Sequence, residues 1–206
     1  MTTLGELCSD VYVLTGRPGL AAETQLAIRT AARKFHLWDF WMRDKQEKLL
    51  KYSATSNAFT VDIPSVFANW RKFDYIRTYD QVAATPKDKY IKAVAPSSIF
   101  DEFSRNKEDV CYVAGTNLQM KTADAEDAFL VGWYTYPNLG VNNFSSWIAD
   151  MYPELLVEEA AGRIMQAIGM VEEGNKFVDP QKGSVYHPIT GHLQVLRINE
   201  LEVFAR

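Results

Sequence analysis

"WIADMYPELLVEEAAGRIMQAIGMVEEG", Trp147 to Gly174, has the pattern of an amphipathic helix entered through an aromatic and a proline. Pro153 has its φ pre-set for a first helical turn, so a helix starts there. Val157, Ala161, Ile164, Ile168 and Val171 then recur at steps of three and four, which lays one apolar stripe along the helix. Glu154 and Glu158 fall near the positive end of the helix dipole. Glu159 faces Arg163 one turn on, a pairing worth about 0.2–0.5 kcal/mol on an open helix surface. Ala160, Gly162 and Ala167 are small enough to let a second helix approach closely. Gly169 weakens this helix and Gly174 ends it.

Towards the N-terminus, the same periodicity appears twice more. Leu4, Leu7, Cys8, Val11 and Leu14 share one helix face. "TGRPG", Thr15 to Gly19, stops that helix, with Gly16 suited to a left-handed cap and Pro18 unable to continue the ladder. A second helix follows over 21–38, with Ala21, Gln25, Ile28, Ala32 and Phe35 on its apolar side, Ala31 beside them, and Arg29, Arg33 and Lys34 nearer the other side. The middle of the chain reads as β. "KLLKY" and "AFTVDIP" form a hairpin around "SATSN", and Pro64 ends the second strand. "WRKFDYIRTY" alternates, "KYIKAVA" is a short strand, and "PSSIFDEFSR" is a small helix. "VCYVAG", "NLQMK" and "AFLVGWYTYP" give three more strands of an antiparallel meander. The last is apolar on both faces and is therefore buried on both. Beyond the opening stretch, "VDPQKGSVYHPITG" is rich in breakers and reads as an extended connector. "HLQVLRINELEVFAR" has the spacing of a last helix and also admits a strand.

Composition bounds what such a chain does. It has 206 residues, 47% of them hydrophobic and 23% charged, which fits a globular protein. A net charge of -4 argues against a protein built to coat nucleic acid. No apolar run has the length of a membrane span. The start, "MTTLGELCSDVY", carries Glu6 and Asp10 and no basic segment, so it does not resemble a secretory signal. Cys8 and Cys111 lie far apart without a CxxC partner, which suits two reduced, buried thiols in a protein folded in cytosol.

Motifs for catalysis are missing from the sequence: it has no GxGxxG, GxxxxGK[ST], GxSxG or HExxH. His187 and His192 straddle a proline, a spacing foreign to a shared metal. His36 and Asp39 lie one helical turn apart, but two ligands do not close a zinc site. Glu154 and Glu158 share a helix face as a carboxylate pair would, yet acidic first turns are ordinary helix chemistry. No catalytic, metal or cofactor-binding residue is therefore expected, and no cofactor. The segment 41–92 is locally basic with interleaved aromatics such as Trp70, Phe73 and Tyr75, but Asp44, Glu47, Asp62, Asp74 and Asp80 are mixed among its lysines and arginines. Aromatics make up 13% of the chain, with five tryptophans. Aromatic surface without a pocket motif points to packing between subunits.

The order of segments carries a resemblance. A helical hairpin leads to "FTVDIP", then to the Arg-and-aromatic strand "WRKFDYIRTY". Later "WYTYP" precedes "NLGVNN" and a tryptophan, and "YPELLVEEAAGRIMQAIGMVEEGNKF" closes the pattern. This order resembles the head-to-tail adaptor (connector) proteins of short-tailed bacteriophages, over the span from Leu4 to Phe177. The resemblance implies a structural virion protein, not an enzyme. About twelve copies would form a ring beneath the portal protein. The ring would extend the channel through which genomic DNA passes without sequence-specific contact, and it would offer an attachment site to a downstream tail or nozzle protein. A tail-tube or head-completion protein and a small DNA-binding module are the alternatives. The implied place is the virion neck, with assembly in the host cytoplasm and no membrane.

The expected fold class is α+β: mainly a helical bundle, with an inserted antiparallel β-rich region and an extended C-terminal arm. The expected divisions are a helical hairpin at 1–40, a β-rich insertion at 41–140, bundle helices at 141–180 and the arm at 181–206. Within the arm, Val185, Tyr186, Ile189, Leu193, Leu196, Leu201 and Phe204 are the candidate portal-binding residues. They are too many apolar groups for a solvated linker.

Overall fold

The computed structural model describes residues 2–98 and 107–178. Two compact units divide the chain: residues 2–43 with 137–178, and Asp44–Tyr136. Each has its own core.

The helical unit begins with α1, Leu4–Thr15. Thr3 caps it through a reciprocal box. The Glu6 N–H donates to Thr3 Oγ1 at 3.2 Å, and the Thr3 N–H donates to the Glu6 carboxylate at 2.7 Å. The Thr3 hydroxyl donates to the same carboxylate at 2.9 Å, and these two bonds from Thr3 hold the Glu6 carboxyl below its usual range. Gly16 ends the helix at φ 64°, where a side chain would be strained. The second helix, α2, runs Ala21–Trp38 and buries Ile28, Ala31, Ala32 and Phe35. Leu14 and Ala21, expected on the inner faces, are exposed. A short helix α4, Trp147–Met151, precedes α5, Pro153–Ala167, and the two break at Tyr152 and Pro153.

Leu155, Leu156, Val157, Ala160, Ala161 and Ile164 of α5 pack against α1 and α2. The apolar stripe ends at Ile164. Ile168 and Val171 are exposed, because Gly169 at φ 88° turns the chain away before α6, Val171–Val178. Gly174 therefore does not end a helix. It lies inside α6, and a Cβ there would stand 2.7 Å from the Gly162 carbonyl and 2.9 Å from the Gln166 amide. The expected close approach at Gly162 is made by α6, and Gly174 is the residue that permits it.

The other unit is a six-stranded sheet. Its strands are β1 (Lys45–Asp62), β2 (Trp70–Asp80), β3 (Thr85–Tyr90), β4 (Lys92–Ala93), β5 (Val110–Ala114) and β6 (Asn117–Thr135). A one-turn helix α3, Ile63–Val66, follows β1 with the Asp62 side chain accepting from the Ser65 N–H. The long strand β6 is central. β1 runs antiparallel along one side of it, while β2 and β5 share the other side at its C-terminal and N-terminal halves. β4 joins β5 in parallel, so the sheet is mixed rather than an antiparallel meander.

These strands overturn the expected fold class. About 40% of the described residues are helical and 38% are strand, so this is a mixed α/β protein with a six-stranded sheet and not mainly a helical bundle with a β insertion. The reason is local. "SATSN" is not a hairpin loop but part of β1, where register shifts between Lys51, Ser56 and Ala58 absorb the turn-forming residues. "NLQMK" and "AFLVGWYTYP" likewise belong to one strand. Phe59 lies opposite Met120 and Leu50 opposite Phe129, yet the Phe59 and Phe129 rings meet at 4.7 Å. Nine residues of straight strand would separate those rows by about 30 Å. The sheet thus bends sharply at the irregular rows and closes on its own core. β6 is buried on both faces from Ala128 to Tyr134 apart from half-buried Leu130. The small helix expected from Pro96 is a 3₁₀ turn over Pro96–Ser98, and the rest of that segment lies outside the described residues.

Cys8 and Cys111 are free and buried. Desolvation raises both thiols, Cys111 to about 11. A raised thiol favours the protonated folded state. Its stabilising contribution is therefore complete below the unfolded thiol's value, about 8.5, and is lost as pH climbs towards 11. Native protein at pH 8 is expected to leave both cysteines unreacted with Ellman's reagent, and both should react in denaturant. Stability should fall as pH rises from 9 to 11.

Candidate interaction surface

The candidate portal-binding residues Val185, Tyr186, Ile189, Leu193, Leu196, Leu201 and Phe204 lie outside the described residues. So do the connector and the last helix expected near them. The remaining sequence candidates fall in the helical unit. Glu154 is exposed and Glu158 half-buried on α5, while the carboxylate that enters the core is Glu159. His36 is buried rather than at the surface. Among the described residues, no group of three or more His, Cys, Asp or Glu side chains is placed to hold a metal.

His36 joins the end of α2 to the start of α4. Its Nε2 lies 2.9 Å from Ser146 Oγ, and that oxygen also accepts from the Ala149 N–H at 3.3 Å as the cap of α4. Ser146 is buried, so the pair is a structural clasp and not an accessible nucleophile. Around it, the Trp147 ring meets His36 edge-on at 5.7 Å and Trp41 at 5.6 Å. Trp41 Nε1 donates to the Phe35 carbonyl at 2.9 Å, and Trp38 stacks on Trp41 at 5.8 Å. Arg43 lies over Trp147. Ser146→Ala removes both the cap and a buried contact. It is expected to cost about 1–3 kcal/mol in urea unfolding.

A second link ties α2 to α5. Glu159 is fully buried, and its Oε1 accepts from Lys34 Nζ at 2.9 Å, Arg163 Nε at 2.9 Å and Arg163 Nη2 at 2.8 Å. The Glu159–Arg163 spacing is legible in the sequence. Lys34, placed nearer the outer side of α2, joins only through the packing of α2 on α5. Glu159 Oε2 is buried and accepts no hydrogen bond from the described residues.

Several large apolar side chains are exposed on the helical unit among its polar ones. The turn Gly16–Leu20 and Ile168 line a groove of about 520 Å³. Just before the turn, Val13 is 83% exposed and Leu14 is also exposed. Ile168, which lines the groove, is exposed, as are Met170 and Val171 that follow it in the chain, and Arg17 supplies a cation to the lining. Helix α2 adds exposed Leu26, Leu37 and Trp38. Exposed apolar side chains beside a groove are a common feature of interaction surfaces.

The sheet unit behaves differently. Several of its cations are paired with neighbouring acids: Lys45 with Asp74 at 2.7 Å, Lys87 with Glu126 at 2.7 Å, and Lys89 with Asp109 and Asp124, each at 3.0 Å. The bond to Glu126 raises the Lys87 ammonium, and those to Asp109 and Asp124 raise that of Lys89. Lys45 and Arg77 also cover the Tyr75 and Tyr90 rings, each at 4.7 Å. Part of the basic, aromatic stretch is thus taken up in internal ion pairs and cation–π contacts. No helix among the described residues is long and apolar enough to cross a membrane.

No protein-family model matches the chain, and a search of curated proteins gives no match.

Proposed function

We propose that the chain is a structural virion protein of a short-tailed bacteriophage, a head-to-tail adaptor. It would form a ring beneath the portal, extend the DNA channel and carry the attachment site for the tail. The observation that supports this reading most is the apolar surface around the Gly16–Leu20 groove, on a unit whose buried polar groups are occupied in holding helices together. The order of sequence segments agrees with it. So does the pairing of several of the sheet's cations with neighbouring acids, since a channel that lets DNA slide has no use for a strongly basic lining.

Adaptor rings close through heterologous contacts, in which one patch meets a different patch on the next copy. The groove wall is suited to such a patch. Replacing Val13 and Ile168 together by aspartate alters exposed positions and should leave the circular dichroism spectrum unchanged. Assembly on a portal ring, followed by analytical ultracentrifugation, should weaken at least about tenfold, or about 1.4 kcal/mol. Unchanged assembly would remove the groove from the proposed interface. Tight, strongly salt-dependent binding of the wild-type chain to short DNA duplexes would instead favour a small DNA-binding module.

A further inference from the structure

Helices α1 and α2 each turn one row of side chains away from the core of the helical unit. On α1 the row holds Asp10, Val13 and Leu14, and on α2 it holds Leu26, Arg33 and Leu37, all of them exposed. Other charges of these helices are used within the chain. Glu6 closes the cap at Thr3, Arg29 donates to the Leu139 carbonyl at 2.6 Å, and Lys34 donates to Glu159 at 2.9 Å. Glu23 lies in the first turn of α2, at the opposite end from Leu37. Asp10 and Arg33 are left over, and neither side chain has a hydrogen bond or ion pair among the described residues. On each helix the charge stands one turn before an exposed leucine, Asp10 before Leu14 and Arg33 before Leu37. The two rows thus match in spacing and are opposite in charge.

We infer that this surface docks a second copy of the chain, with the α1 row of one copy lying parallel on the α2 row of the next. Arg33 then meets Asp10, Leu37 meets Leu14 and Val13, and Leu26 falls beside Thr3. Glu23 lies beyond the start of α1 in this register, so no like charges oppose each other along the two helices. The antiparallel alternative through the same ion pair would set Leu37 against Glu6 and Leu26 against Arg17. The charges fix the register and the leucines supply apolar burial. Because the two rows differ, each copy keeps one row for a further neighbour, the condition for closing a ring. The inference deepens the adaptor reading and rests on it for ring closure, but the contact itself needs no portal.

Sedimentation equilibrium of the purified full chain tests it, with Asp10→Lys and Arg33→Glu as variants. Both change exposed positions and should keep the native circular dichroism spectrum. Wild type should self-associate as concentration rises. Each single reversal places like charges together at every contact and should weaken association at least about tenfold. D10K/R33E restores an opposite pair and should recover association. An equimolar mixture of the two single variants should recover it too, since each then offers the other a matched row, whereas an effect confined within one chain is not rescued by mixing. Three results would each overturn the inference: a wild-type chain that stays monomeric up to ~1 mM, reversals without effect, or no recovery in the double variant and the mixture. Portal rings that stay bare beside a self-associating chain would count against the adaptor reading and leave this contact standing. Portal collars that form equally well with either reversal would do the opposite.

Discussion

Replacing Lys34 and Arg163 together by alanine is expected to cost about 3–5 kcal/mol, the range for leaving a buried charge uncompensated. The exposures decide this. The Lys34 and Arg163 side chains are 47% and 37% exposed, whereas Glu159 is fully buried. Both cations therefore recover hydration when the carboxylate is removed, but the carboxylate recovers nothing when they are. All its compensation arrives at Oε1. Glu159→Leu should accordingly be milder than the double substitution. The triple variant K34A/R163A/E159L should regain most of the loss, since well-packed apolar replacements of buried ion pairs are often neutral. Urea unfolding of the four proteins checks this. A double variant within about 1 kcal/mol of wild type would show that the carboxylate is not held by these partners.

Gly132→Val is expected to destabilise the sheet unit by about 1–3 kcal/mol, although valine is the better strand former by up to ~1 kcal/mol. Gly132 sits in β6 between Glu47 of β1 and Tyr75 of β2. The Tyr75 ring lies directly over it, so that a Cβ would stand 2.5 Å from the ring's Cε1. The ring is held in turn by the Lys45 ammonium at 4.7 Å, itself paired with Asp74. Valine must push this stack off the sheet. Removing the ring should relieve the clash, so Y75A/G132V should be more stable than the sum of the two single losses predicts. Hydrogen exchange should locate the damage in the Gln46–Lys48 and Phe73–Arg77 rows that flank the site. Additive losses would mean that the ring is free to leave at no cost.

Much of the helical unit was legible in the sequence because its signals are local. Leu7, Cys8 and Val11, Ile28 and Phe35, and Val157, Ala161 and Ile164 all announce their faces by spacing. Thr3 and Glu6 carry a readable capping box, although the apolar periodicity drew attention first. What the spacing does not disclose is where a face loses its partner. Ile168 and Val171 continue the stripe in sequence, but the Gly169 turn takes them off the bundle. Nor does it show that Gly174 is needed for contact between helices rather than for termination.

The sheet was harder to read. Turn-forming residues in "SATSN" signal a loop by composition, whereas a bulged strand can carry them when long-range pairing with β6 fixes its ends. That pairing joins residues 55 to 89 positions apart, from Asp62 with Asn117 to Lys45 with Tyr134, beyond the reach of any local window. The same limit applied to the interaction surface. Nothing near His36 in sequence declares Ser146 or Trp147 as its neighbours. The groove at Gly16–Leu20 was read only as a turn, since Ile168 reaches it through the fold.

The central claim is that this chain assembles as a ring on a portal. Electron microscopy of the purified chain mixed with the portal ring of the same phage tests it most directly. The account predicts a closed collar of adaptor copies, coaxial with the portal channel and absent when Val13 and Ile168 are both aspartate. Portal rings that stay bare, or that carry only isolated copies without closure, would contradict it.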